Sequence, residues 1–156
     1  MKTASIIEIK KVLKTLDEDQ LMACCLRMAK FKKDNKELLT YLLFEEKDEQ
    51  SYIDLIKEEI VLEFEEINSN HIYYAKKGIR KILRNVTKYI RYSGKKQTEV
   101  ELLICFCETL RDSGIRFRSS SALHNLYETQ IRKIKKALNT LHEDLRYDYQ
   151  DIIDQL

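Results

Sequence analysis

The chain contains no proline and only three glycines, Gly78, Gly94 and Gly114. A β-rich protein of 156 residues needs many tight turns, and tight turns favour glycine and proline. Helices can begin and end with other capping residues. The sequence therefore predicts an all-α protein.

Several short motifs mark where helices begin and end. Capping boxes, in which Ser, Thr or Asp precedes Glu or Gln by three residues, occur at Ser5–Glu8, Asp17–Gln20, Asp34–Glu37 and Thr98–Glu101. Further candidate N-caps are Asp48, Asn70 and Ser121, and Ser93-Gly94 and Ser113-Gly114 are typical of helix ends. These marks predict about seven helices in a bundle or short helical array, over 5–15, 17–32, 34–46, 48–67, 70–93, 98–113 and 120–155.

The predicted C-terminal helix is unusually long. Apolar residues recur at a period of 3.6 from Leu123 to Leu156 without drifting, which favours one helix over residues 120–155. A helix of that length would project from the domain or pack against a second copy. The alternative is a separate final helix that begins at Thr140-x-x-Glu143 and folds back onto the core.

Length and composition predict one helical domain over 1–156, located in the cytoplasm. No apolar run approaches the roughly 20 residues that span a bilayer, so no membrane association is expected. The four cysteines are Cys24, Cys25, Cys105 and Cys107. Because they form two local pairs in apolar helical segments, we expect reduced, inert, buried side chains in a reducing compartment.

Charge is strongly segregated along the chain. Residues 45–66 hold ten acids and two bases, a net −8, whereas residues 76–96 hold nine bases and no acid, a net +9. Tyrosines lie between the basic residues. Surfaces that bind nucleic acid combine basic side chains, which contact phosphates, with aromatic rings, which stack on nucleobases. Candidate polyanion-binding residues are Lys77, Arg80, Lys81, Arg84, Lys88 and Arg91 on helix 70–93, with Arg116 and Arg118 before a helix start. The alternative is that the acidic helix 48–67 covers and pairs with the basic helix.

Motifs of common catalytic and cofactor sites are not recognisable. The sequence has no dinucleotide-binding glycine motif, no Walker loop, no nucleophile elbow and no zincin motif. The histidines His71, His124 and His142 do not share metal-ligand spacing with each other or with cysteine. We therefore expect no catalytic residues, no metal, no cofactor and no small-molecule ligand.

Residues 88–94 and 98–103 carry a resemblance. The segments Lys88-Tyr-Ile-Arg-Tyr-Ser-Gly94 and Thr98-Glu-Val-Glu-Leu-Leu103 resemble a family of small all-helical bacterial proteins with no assigned activity. The resemblance implies a shared fold and a bacterial source, and no functional residue. The expected function is a non-enzymatic interaction or adaptor domain with a protein partner or a second copy. The alternative is a nucleic-acid- or polyanion-binding module that uses helix 70–93.

Overall fold

The computed structural model describes residues 2–68 and 71–156, in which eight α-helices and no strand are found. The protein is 81% helical, which confirms the all-α prediction. The helices are α1 (Ile6–Leu13), α2 (Glu18–Phe31), α3 (Lys33–Thr40), α4 (Glu49–Glu65), α5 (Ile72–Ser93), α6 (Lys96–Asp112), α7 (Ser121–Leu138) and α8 (Glu143–Asp154). None of them is both long enough and apolar enough to cross a bilayer.

Backbone contacts divide the chain into two compact units, Met1–Phe44 and Glu45–Leu156. The single domain expected from the sequence stays a prediction. In the N-terminal unit, complete capping boxes begin α1 at Ser5 and α2 at Asp17, as predicted. Helix α2 packs against α3, which runs directly into a π-helical turn at Tyr41–Glu45. Between residues 2 and 44 only Tyr41 is buried.

The C-terminal unit is built around α6, which packs against α4, α5 and α7. Its core consists of large apolar side chains with almost no exposed surface, among them Ile53, Ile79, Phe106, Leu110 and Leu123. Burial of each such side chain contributes about 1.5–3 kcal/mol relative to leaving it in water. This unit therefore has the hydrophobic core that holds the basic helix in place.

Three predicted helix starts are wrong. Helix α3 begins at Lys33, so Asp34 already lies inside its first turn and cannot cap it. Helix α6 begins at Lys96, because the Thr98 side chain is fully buried and its hydroxyl donates to the Glu49 carboxylate. Helix α7 takes Ser120 as its N-cap instead of Ser121.

Other predicted helix ends agree with the structure or lie outside it. Asp48 caps α4 by accepting from the backbone N–H of Ser51, as predicted. Gly94 and Gly114 follow α5 and α6 with φ angles of 68° and 71°, the left-handed conformation that glycine adopts at helix ends. Asn70 lies outside the described residues, and His71 is the N-cap of α5.

The prediction of a single helix over 120–155 is wrong, because the helical structure is interrupted between Leu138 and Glu143. The Thr140 hydroxyl donates to the Ala137 carbonyl at 2.6 Å, which competes with continuation of the α7 hydrogen-bond ladder. The Tyr127 hydroxyl then donates to the Leu156 carbonyl at 2.7 Å. Helix α8 therefore folds back and buries Ile153, so the predicted projecting helix, and the dimer through it, lose their basis.

Candidate functional site

The basic stripe comprises Lys77, Arg80, Lys81, Arg84, Lys88 and Arg91 of α5. The opposite face of the helix carries Ala75, Ile79, Ile82 and Val86, which are buried at helical spacing in the core. Lys88 is half-buried and the other five basic side chains are exposed. The apolar face thus orients the stripe away from the core.

The acidic helix α4 lies along one flank of α5. The Lys81 ammonium is 3.6 Å from the Glu63 carboxylate, and the Asn85 amide donates to the same carboxylate at 3.0 Å. The Tyr89 hydroxyl donates to Glu59 at 2.9 Å. These contacts mainly use residues beside the stripe, so α4 covers the basic helix only in part.

The rest of the stripe is open. Within residues 2–68 and 71–156, the exposed side chains of Lys77, Arg80, Arg84 and Arg91 form no ion pair and no side-chain hydrogen bond. Unpaired surface cations of this kind are available to anionic ligands. The sequence left two alternatives, a basic stripe open to ligands and a basic helix covered by the acidic helix. In the structure α4 pairs with part of the stripe, and most of the stripe is open.

A groove of about 390 Å³ lies between α5, the start of α6, and α7. Its polar lining includes Arg91 from α5 and Lys133 from α7, and its apolar lining includes Ile90 and Leu103. Both Arg91 and Lys133 are exposed. Lys133 is not among the polyanion-binding residues predicted from the sequence, because only the packing of α7 on α6 brings it towards α5.

Charged residues at the start of α6 also line this groove. Lys95 pairs with Glu49 at 2.7 Å, and Lys96 pairs with Glu99 at 2.6 Å. Glu99 is the acid in the lining and is already paired. The groove is therefore cationic in sum.

Arg116 and Arg118 occupy a different position. They flank the start of the short 3₁₀ turn Phe117–Ser119, and both are exposed. The Arg118 guanidinium lies over the Phe117 ring, 5.6 Å from its centroid. Since Lys133 is twelve residues beyond Ser121, about 18 Å further along α7, the structure does not bring these two arginines to the groove.

A polar cluster that no sequence pattern predicts surrounds Glu101, which is only 8% exposed. Its carboxylate accepts from Lys57 at 2.7 Å, from Tyr149 at 2.8 Å and from Gln97 at 3.1 Å. Burial acts to raise the pKa of Glu101, but these three hydrogen bonds outweigh it and lower the pKa. Burial and the neighbouring Glu101 carboxylate raise the pKa of Tyr149 to about 12. The cluster joins α4, α6 and α8 and has a structural role.

The N-terminal unit exposes an unusual amount of apolar surface. Every side chain of α1 is exposed, including Ile6, Ile9 and Leu13. Phe31, at the end of α2, is 84% exposed. A cavity of about 220 Å³ lies within this unit and has a lining that is almost entirely apolar: Cys25, Met28, Ala29, Asn35, Leu38, Leu39 and Leu42.

The cysteines divide into two classes, and all four are free thiols. Cys24 and Cys25 are exposed, so the expectation that all four are buried is wrong for this pair. The reason is that no residue of α2 is buried, although the helix packs against α3. Cys107 is buried, and burial with the adjacent Glu108 carboxylate raises its pKa to about 12, while burial also raises the pKa of Cys105.

Among the described residues, no group of three or more His, Cys, Asp or Glu side chains is arranged to hold a metal ion.

Comparison of the chain with protein-family models, with curated proteins and with solved structures finds no match, so the family resemblance carried by residues 88–103 stays a prediction.

Proposed function

We propose that this chain is a non-enzymatic interaction module that self-associates through its N-terminal unit. The observation that carries the proposal is α1, an eight-residue helix whose five aliphatic side chains, Ile6, Ile7, Ile9, Val12 and Leu13, are all exposed. Helices shorter than about 12–15 residues are marginal in water unless an apolar face packs against something. A partner surface is what would stabilise this one.

The same unit offers such a surface. Ile6, Ile9 and Leu13 follow one another at spacings of three and four residues, so they form one ridge along about 10 Å of helix. The cavity of the N-terminal unit, lined mainly by α2 and α3, is apolar and open, and residues of α1 do not line it. A ridge and a cavity on one chain allow two copies to exchange α1 helices in a two-fold dimer.

Light scattering coupled to size exclusion tests the proposal. The wild-type chain should show a mass that rises towards a dimer as concentration increases to about 100 μM, a weak self-association. The variant Ile9→Ser/Leu13→Ser should stay monomeric, because both side chains that it removes belong to the ridge. The matched control Lys11→Ser/Lys14→Ser introduces the same residue away from the ridge, because neither lysine lies three or four residues from Ile6, Ile9 or Leu13, and it should leave dimerisation intact.

A wild-type chain that is monomeric at every concentration would contradict self-association. Equal loss of dimer in both serine variants would show that the α1 ridge is not the contact. Circular dichroism of each variant establishes that the fold of the C-terminal unit persists.

A second candidate function is polyanion binding by the basic stripe. It is favoured by the four exposed stripe residues Lys77, Arg80, Arg84 and Arg91, which remain unpaired within the described part of the chain although α4 lies alongside. Such a surface binds nucleic acid with low sequence preference and strong salt dependence.

Anisotropy of labelled nucleic acid at low salt tests this second candidate. Reversal of charge in Lys81→Glu/Arg84→Glu/Lys88→Glu should weaken binding and flatten the dependence of affinity on salt, because fewer counterions are released. Absence of binding to both single- and double-stranded nucleic acid would dispose of it.

A further inference from the structure

We propose that the groove between α5 and α7 binds the phosphate backbone of single-stranded nucleic acid, with Arg91 and Lys133 as its two cationic walls. The inference rests on the second candidate function above. It adds a defined binding surface and a residue from another helix.

On the α5 side, Arg91 lines the groove and belongs to a row of arginines that continues along the helix beyond it. Arg80, Arg84 and Arg91 follow one another at spacings of four and seven residues, so they share one flank of the helix. That flank faces the groove, because Thr87 and Arg91 line it. From Arg80 to Arg91 the row extends over about 16 Å, enough to contact more than one phosphate of an extended strand.

The opposite wall and the floor complete the surface. Lys133 projects from α7, and the floor includes the apolar side chains of Ile90 and Leu103. At one end lies the first turn of α6, whose N-cap Lys95 makes no side-chain cap. Backbone N–H groups of an uncapped first turn carry partial positive charge and add to the attraction for phosphate. Among the residues that the structure describes, Glu99 is the one acid in the lining, and it is paired with Lys96.

The shape favours a single strand. A positively charged groove that follows the backbone, with an aromatic ring for base stacking, is how proteins bind single strands without reading sequence. Tyr73 precedes Arg80 by seven residues, so it extends the same flank, and its side chain is 72% exposed. The groove volume lies within the range of about 300–1,000 Å³ found for ligand sites.

Fluorescence anisotropy with a labelled oligothymidylate and with a mixed-sequence duplex tests the proposal on the full chain. The variant Arg91→Glu/Lys133→Glu reverses both walls. The control Lys47→Glu/Lys135→Glu reverses two exposed lysines that do not line the groove. Each variant changes the formal net charge from +2 to +2 − 4 = −2, so bulk charge is matched. Circular dichroism checks that both remain folded.

We expect the wild type to bind the single strand more tightly than the duplex. The groove variant should lose about tenfold or more in affinity, and its salt slope should fall by about 1.4 because two phosphate contacts are lost. The control should stay close to wild type. Equal losses in both variants, or tighter duplex binding, would overturn the proposal.

Two other results separate this proposal from the second candidate function. If Lys81→Glu/Arg84→Glu/Lys88→Glu abolishes binding while the groove variant still binds, nucleic acid does not bind in the groove, and polyanion binding by the basic stripe is supported. If the wild type binds neither nucleic acid at low salt, both are wrong.

Discussion

The hydroxyl of Tyr149 donates a 2.8 Å hydrogen bond to the buried carboxylate of Glu101, so the last helix is joined to the central helix of the C-terminal unit. A hydrogen bond to a charged group contributes about 1.5–3 kcal/mol in proteins. The Glu101 carboxylate also accepts from Lys57 on α4, so three helices meet at one side chain.

Replacement Tyr149→Phe tests this relationship. It should lower the free energy of unfolding by about 1–2 kcal/mol at neutral pH, because Lys57 and Gln97 still satisfy part of the carboxylate. The folded pKa of Tyr149 is about 12, above its ordinary value of 10. Its contribution is thus complete below pH 10 and is lost as pH rises towards 12. Urea unfolding from pH 8 to 11 should show a smaller alkaline loss in the variant than in the wild type.

The second prediction concerns the Lys57–Glu101 ion pair of the same cluster and is tested with Lys57→Met. Removal of the ammonium leaves the Glu101 charge with only two neutral donors, so we expect a loss of about 1–3 kcal/mol at pH 7. In the wild type the pKa of Glu101 is lowered from 4.5, so its stabilising contribution is present above that pH and is lost as pH falls below it. The variant should show less of this acid loss. Identical pH profiles for the two proteins would show that the pair contributes nothing.

The two thiol environments give a third prediction. In native protein, Cys24 and Cys25 should react rapidly with an aromatic disulfide reagent, because both are exposed. Cys105 and Cys107 should react only on unfolding, because burial raises the pKa of both thiols and limits access. The expected count is two thiols per chain in buffer and four in denaturant. Four rapid thiols in buffer would contradict the core position of Cys107.

Local signals predict much of this fold, and they fail where tertiary contacts compete for the same side chain. The Ser5–Glu8 and Asp17–Gln20 boxes cap exposed helices, where no tertiary contact competes for those side chains. Thr98 and Glu101 have the same spacing, yet Thr98 bonds to Glu49 and Glu101 to Lys57, so neither is available as a cap. The spacing alone does not distinguish the two situations.

Periodicity has a similar limit at the C-terminus. The apolar residues from Leu123 to Leu156 keep one helical period across the break, so periodicity does not reveal it. Both helices bury apolar side chains, Leu123 in α7 and Ile153 in α8. The motif Thr140-x-x-Glu143 indicates a helix start near the break, but the N-cap of α8 is His142, and the Thr140 hydroxyl donates to the Ala137 carbonyl instead. Predicting the groove is harder still, because Lys133 and Arg91 are 42 residues apart in sequence and only the packing of α5 and α7 on α6 brings them to one surface.

In the proposed dimer, α1 packs its apolar ridge against a second copy of the chain. Hydrogen exchange of the α1 amides, measured at low and high protein concentration, tests this contact because exchange reports local opening. We expect residues 6–13 to exchange rapidly in dilute protein and to become protected as concentration rises, while α6 is protected throughout. Protection of α1 that does not change with concentration, or no protection at any concentration, would contradict the claim.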